Sequence, residues 1–81
     1  MTDTCRALLL RMAAYLDRAR PDGLMWAEGR RIVAGQVAAE HYGIRADLVA
    51  DAEAELLDHA PEVAAGITRH EYAEQLRTAA A

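Results

Sequence analysis

Asp51, Glu55 and His59 stand at i, i+4 and i+8, so they line one edge of a helix. Two carboxylates and an imidazole in a row have the donor chemistry of a divalent-metal site. At a rise of 1.5 Å per residue the row stretches about 12 Å, so its outer members cannot share one ion unaided. His41, His70 and Glu74 are the side chains that would have to help. The expectation is therefore a solvated acidic edge with no metal and no cofactor. Other catalytic chemistry is sparse. The chain has no serine, which excludes a Ser-His-Asp arrangement, and no glycine-rich loop that would cradle a phosphate. Cys5 falls in the first turn of a helix, where a thiolate is stabilised. It lies on the apolar face of that helix, so a buried structural cysteine is expected. No enzyme activity is expected.

Four helices must position these groups. The first is expected over about residues 4–19, with Thr4 as N-cap and Arg20-Pro21-Asp22-Gly23 as the stop. Cys5, Leu8, Leu9, Met12, Tyr15, Leu16 and Ala19 share one face at 100° per residue, which leaves Leu10 on the polar side. The second is expected over about 25–42, closed by Gly43 with Ile44 as the apolar contact of a Schellman stop. Its Val33–Ala39 run carries no charge, and apolar or small residues lie on every side. Such a helix is expected to be covered all round, as a central element or by a second copy of the chain. Gly35 leaves open whether it is broken. The third is expected over about 46–59, with Leu48, Val49, Ala52 and Leu56 inward and Asp47, Asp51, Glu55 and Asp58 as an acidic face. Pro61 suits a short turn of helix ending at Gly66. Thr68 and Glu71 form an S/T-x-x-E capping box that starts a fourth helix, about 69–79, with fraying beyond it. The fold class is all-α, one compact four-helix domain over residues 1–81.

Residues 35–54 resemble the helix-turn-helix superfamily. Ala39, Gly43, Ile44 and Val49 match its small residue, turn glycine and following aliphatics. Ala38, Tyr42 and Ala52 put apolar or small residues where that family buries them. The resemblance implies a DNA-binding regulator, with Arg30, Arg31, Arg45 and Arg69 as its phosphate contacts. Against this, the helix that would enter the major groove carries Asp47, Asp51, Glu55 and Asp58, where DNA needs donors. The Gly66–Tyr72 segment resembles the end of an EF-hand loop, but alanines at residues 60 and 64 offer no side-chain oxygen to calcium.

Composition narrows the class further. The 81 residues are 53% hydrophobic and 27% charged, which is globular. The net charge of −4 disfavours unaided binding to nucleic acid or an anionic membrane. A single cysteine and the lack of a basic-then-apolar leader point to the cytoplasm. All nine bases are Arg and 19 residues are Ala, a usage that fits a GC-rich bacterial or phage genome. The expected function is a small non-catalytic protein–protein interaction module, a regulator or inhibitor. Its acidic face would meet a basic protein partner. Leu10, Trp26 and Val37 are the expected partner or dimer contacts, although for Trp26 the better expectation is that it plugs a core without phenylalanine. A twofold homodimer is expected from the surface of the second helix.

Overall fold

The computed structural model describes all 81 residues. Its elements are α1 (Asp3–Arg18), α2 (Ala27–Tyr42), α3 (Ala46–His59) and α4 (Arg69–Ala80). There is no strand, and one isolated antiparallel bridge joins Leu24 to Thr68. The all-α, four-helix architecture follows from alanine-rich segments separated by Pro/Gly turns. No helix is long and apolar enough to cross a membrane.

The core is built on α1, which meets each of the other three helices and packs most extensively on α4. Its buried stripe is Cys5, Leu8, Leu9, Met12, Ala13 and Leu16. Tyr72, Ala73, Leu76 and Ala80 of α4 cover it from one side. Val33, Ala34, Val37 and Ala38 of α2, with Ala52 and Leu56 of α3, complete the core. All the buried residues are apolar, and no buried side-chain polar atom lacks a partner.

Several boundaries differ from the sequence expectation, each for a local reason. Helix α1 is capped by Thr2, whose hydroxyl accepts from the Cys5 amide at 3.0 Å, so Thr4 lies inside the first turn. Helix α2 begins at Ala27 because Met25 is drawn inward as a loop residue, its amide donating to Ile67 O at 2.9 Å. Helix α2 runs unbroken through Gly35, whose missing side chain lets the Glu53 carboxylate approach to 3.4 Å from where a Cβ would sit. It is not covered all round. One face is buried, while Ile32 is 58% exposed on the other. No helical turn forms at Pro61–Gly66; that segment is open chain ending in a turn. The last turn of α4 holds through Ala80, which is buried and accepts from Arg6 Nε at 2.9 Å. The capping box of Thr68 and Glu71 forms as expected.

The two long loops are stitched together. Besides the Met25–Ile67 bond, the Arg69 and His70 amides donate to Gly23 O and Pro21 O, at 2.8 and 2.9 Å. Tyr72 sends its hydroxyl to Pro61 O.

The turn between α2 and α3 departs from the helix-turn-helix resemblance. Gly43 takes φ +61 and closes α2 through a bond to Ala39 O at 2.8 Å. Ile44 is 100% exposed and Ala39 is exposed, whereas Ala38 and Ala52 are buried and Tyr42 and Val49 pack against the core, so the resemblance is met only in part. Ile44 therefore supplies no Schellman contact either.

Candidate functional site

Two surfaces gather side chains that could act on something outside the chain. The first is a cleft of about 220 Å³ where the N-terminus of α1 meets α3. Thr2, Cys5, Asp51, Glu55 and Leu56 are among its walls. The α1 stripe seats Cys5 at 2% exposure, because it is one turn before Leu8 and Leu9 on the same face. Glu55 and His59 come from α3, one turn apart. Donor atoms of Cys5, Glu55 and His59 all lie within 4.8 Å of one another. Burial first, and the Glu55 carboxylate second, push the Cys5 thiol up from its ordinary value. Glu55 is half-buried and takes part in no ion pair; the Thr2 hydroxyl donates to it at 3.4 Å, and the Cys5 thiol is within its reach.

This grouping corrects the sequence reading. Glu55 and His59 do meet a third ligand-bearing residue from another helix, but it is Cys5 rather than His41, His70 or Glu74. Asp51 and His59 stand eight residues apart, too far along the helix to share one ion, whereas α1 brings Cys5 to the height of Glu55 and His59. Contact between residues 5 and 55 is non-local, and nothing in the local pattern signals it.

The second surface is apolar. Leu24 and Trp26 are 50% and 66% exposed, in the loop that leads into α2. With Ala27, Val63, Ala64 and Ala65 they line a groove of about 230 Å³. An adjoining hollow of about 360 Å³ is lined by Arg20, Gly23, Leu24, Trp26 and Arg69. Trp26 thus stands at the surface and not in the core. Nothing in the local pattern marks Val63 or Arg20 as its neighbours. The apolar triplet Leu24-Met25-Trp26 after a turn was the available signal, of which only the middle residue is buried.

The remaining expected site residues are dispersed. Leu10 is 44% exposed on α1. Val37 is 1% exposed and faces the core, so it cannot touch a partner or a second copy. Of the acidic face, Asp47 is paired with Arg45 at 3.2 Å, which holds its carboxyl below the ordinary value. Glu55 belongs to the cleft. Asp51 and Asp58 are exposed and carry no ion pair.

The four arginines expected to meet DNA do other work. Arg30 donates to Leu57 O, Ala60 O and Pro61 O at 2.6, 3.0 and 3.1 Å, satisfying the carbonyls at the end of α3. Arg45 faces Asp47, and Arg69 donates to Ala19 O at 2.8 Å. Only Arg31 is exposed without a recorded bond.

A last cluster joins α1 to α4. Asp17 accepts from Arg77, and His70 Nδ1 lies 2.8 Å from its other oxygen. Glu74 also meets Arg77, at 2.8 Å. The Arg77 and His70 bonds hold the Asp17 carboxyl down, and Asp17 pushes the His70 imidazole up. These bonds make the cluster a clasp between α1 and α4.

The chain matches no protein-family model, and no curated protein or solved structure shows significant similarity to it.

Proposed function

We propose that the protein is a small non-catalytic interaction module, a regulator or inhibitor that docks on a protein partner through the Leu24–Trp26 groove. The carrying observation is the tryptophan. The core is closed by Leu, Met, Val, Ala and Tyr side chains without it, and Trp26 stays 66% exposed beside Leu24 and Val63. A large aromatic anchor on an apolar groove is the composition of a binding hot spot. Arg20 and Arg69 edge the adjoining hollow. Arg20, exposed and in no ion pair, favours a segment that follows its apolar anchor with a carboxylate.

Random-peptide display on the purified protein tests this reading. Selected peptides are expected to share an apolar residue flanked by Asp or Glu, and to shift the emission of the only tryptophan. Trp26→Ala should weaken them by at least about 30-fold, the effect of losing a hot-spot side chain, with the helical fold kept. Failure to enrich any peptide, or peptides indifferent to Trp26→Ala, overturns it.

Asp51 and Asp58 support a second contact, with a basic partner. They project from α3 two turns apart, exposed and unpaired. Reversing both to Arg should slow association with such a partner and leave groove binding unchanged. The DNA alternative has less support, since Arg30, Arg45 and Arg69 are engaged within the chain. If it held, the same reversal would strengthen non-specific DNA binding.

A further inference from the structure

We propose that Cys5, Glu55 and His59 form a binding site for one zinc-class divalent metal ion, apart from the tryptophan groove. Their donor atoms lie within 4.8 Å of one another, close to the mutual spacing of ligands around a single ion. The set is chemically selective. A thiolate, an imidazole and a carboxylate suit zinc or cobalt, whereas magnesium and calcium take oxygen ligands alone. Glu55 and His59 sit at i, i+4 on α3, the spacing at which two ligands on one helix face reach the same ion. Cys5 supplies the third ligand from a different helix, so the ion would tie α1 to α3.

The arrangement is hard to explain by packing alone. Glu55 is a half-buried carboxylate with no cation beside it, set against a buried thiol. Every ion pair in the structure uses other acids. A divalent ion supplies the missing positive charge. On binding, the S–H bond of Cys5 breaks, the proton passes to solvent, and the thiolate bonds to the metal. Thiolate, carboxylate and neutral imidazole then sum to −2, which balances the ion. Thr2 and Asp51 line the same cleft, which leaves water access to a fourth position.

Reduced, metal-stripped protein titrated with Co²⁺ provides the test. One equivalent should bind with thiolate-to-cobalt charge-transfer absorption in the near ultraviolet, and Zn²⁺ should displace it. Saturating Zn²⁺ should raise the unfolding temperature by about 10 °C at a hundredfold excess over Kd. Cys5→Ala should abolish the charge-transfer band. His59→Ala, at an exposed position outside the core, should weaken binding by more than about 100-fold. Circular dichroism confirms that both variants remain helical. His41→Ala and His70→Ala should bind as the parent does. A folded parent that shows no charge-transfer band overturns the proposal. So does binding that survives both Cys5→Ala and His59→Ala, or that is lost equally in His41→Ala.

Discussion

Val37 and Arg30 show how much a single side chain decides in a domain this small. Val37 sits in the core at 1% exposure with no polar group there to receive a charge. Val37→Asp should therefore destabilise by several kcal/mol, comparable to the whole stability of a small domain. Thermal unfolding followed by circular dichroism should show the variant largely unfolded at 37 °C, while Val37→Ala keeps a cooperative transition. Arg30 acts by geometry. Its planar guanidinium reaches three carbonyls of the α3 terminus at once, and a lysine ammonium cannot reproduce that fork. Arg30→Met should cost about 2–3 kcal/mol, since hydrogen bonds to charged groups are worth about 1.5–3 kcal/mol each and the released carbonyls regain some water. Arg30→Lys should recover less than half of that. Denaturant melts of the three proteins check both statements. Sequence pattern marks Arg30 only as a cation; its role exists because α2 passes the end of α3.

At the scale of elements, the α1–α4 clasp makes stability depend on pH in a defined direction. Asp17 is held down by Arg77 and His70, so its contribution is present above the ordinary carboxylate value and is lost as pH falls through its lowered one. His70 is pushed up by Asp17, so its contribution is complete below the ordinary imidazole value and is lost as pH rises through its raised one. Both contribute fully between about pH 4 and about pH 6.5. The unfolding temperature of the parent relative to His70→Ala should be highest in that window and converge above it; a pH series of melts measures this. Helix α3 was legible to the residue because its apolar i, i+3, i+4 pattern is flanked by unambiguous stops at Gly43 and Pro61. The start of α1 was displaced because Thr2 and Thr4 are both acceptable caps, and the choice rests on where Cys5 must enter the core. Helix α2 misled because alanine marks neither face. Its stripe of Val33, Ala34, Val37 and Ala38 emerges only once α1 is in place. The pairing of the loops at Met25–Ile67 and the meeting of Cys5 with Glu55 are long-range, and periodicity carries no information about them.

For the molecule as a whole, the expected homodimer rested on a second helix that needed cover on every side. The structure removes that need. Helix α2 turns its valines inward and leaves Ile32 as the large apolar residue of its outer face. The radius of gyration is 11.7 Å, and a compact chain of this length has about 12 Å. No buried side-chain polar atom lacks a partner, and the fold has no strand that would offer an open edge to a second copy. Apart from the single residues Met1, Leu10, Ile32 and Ile44, the exposed large apolar side chains are those of the Leu24–Trp26 groove, a local patch and not a whole helix face. A stable homodimer buries about 800 Å² on each subunit, and the whole surface here is 4866 Å². Such an interface would take a large share of this surface, far more than the groove offers. The protein is therefore expected to sediment as a monomer of 8.8 kDa at micromolar concentration. Sedimentation equilibrium over a hundredfold concentration range measures this directly. If a dimer is found instead, Trp26→Ala separates two cases. Its dissociation by that change would make a second copy the occupant of the groove, whereas a dimer that persists would place the contact elsewhere, at exposed apolar residues such as Leu10, Ile32 and Ile44.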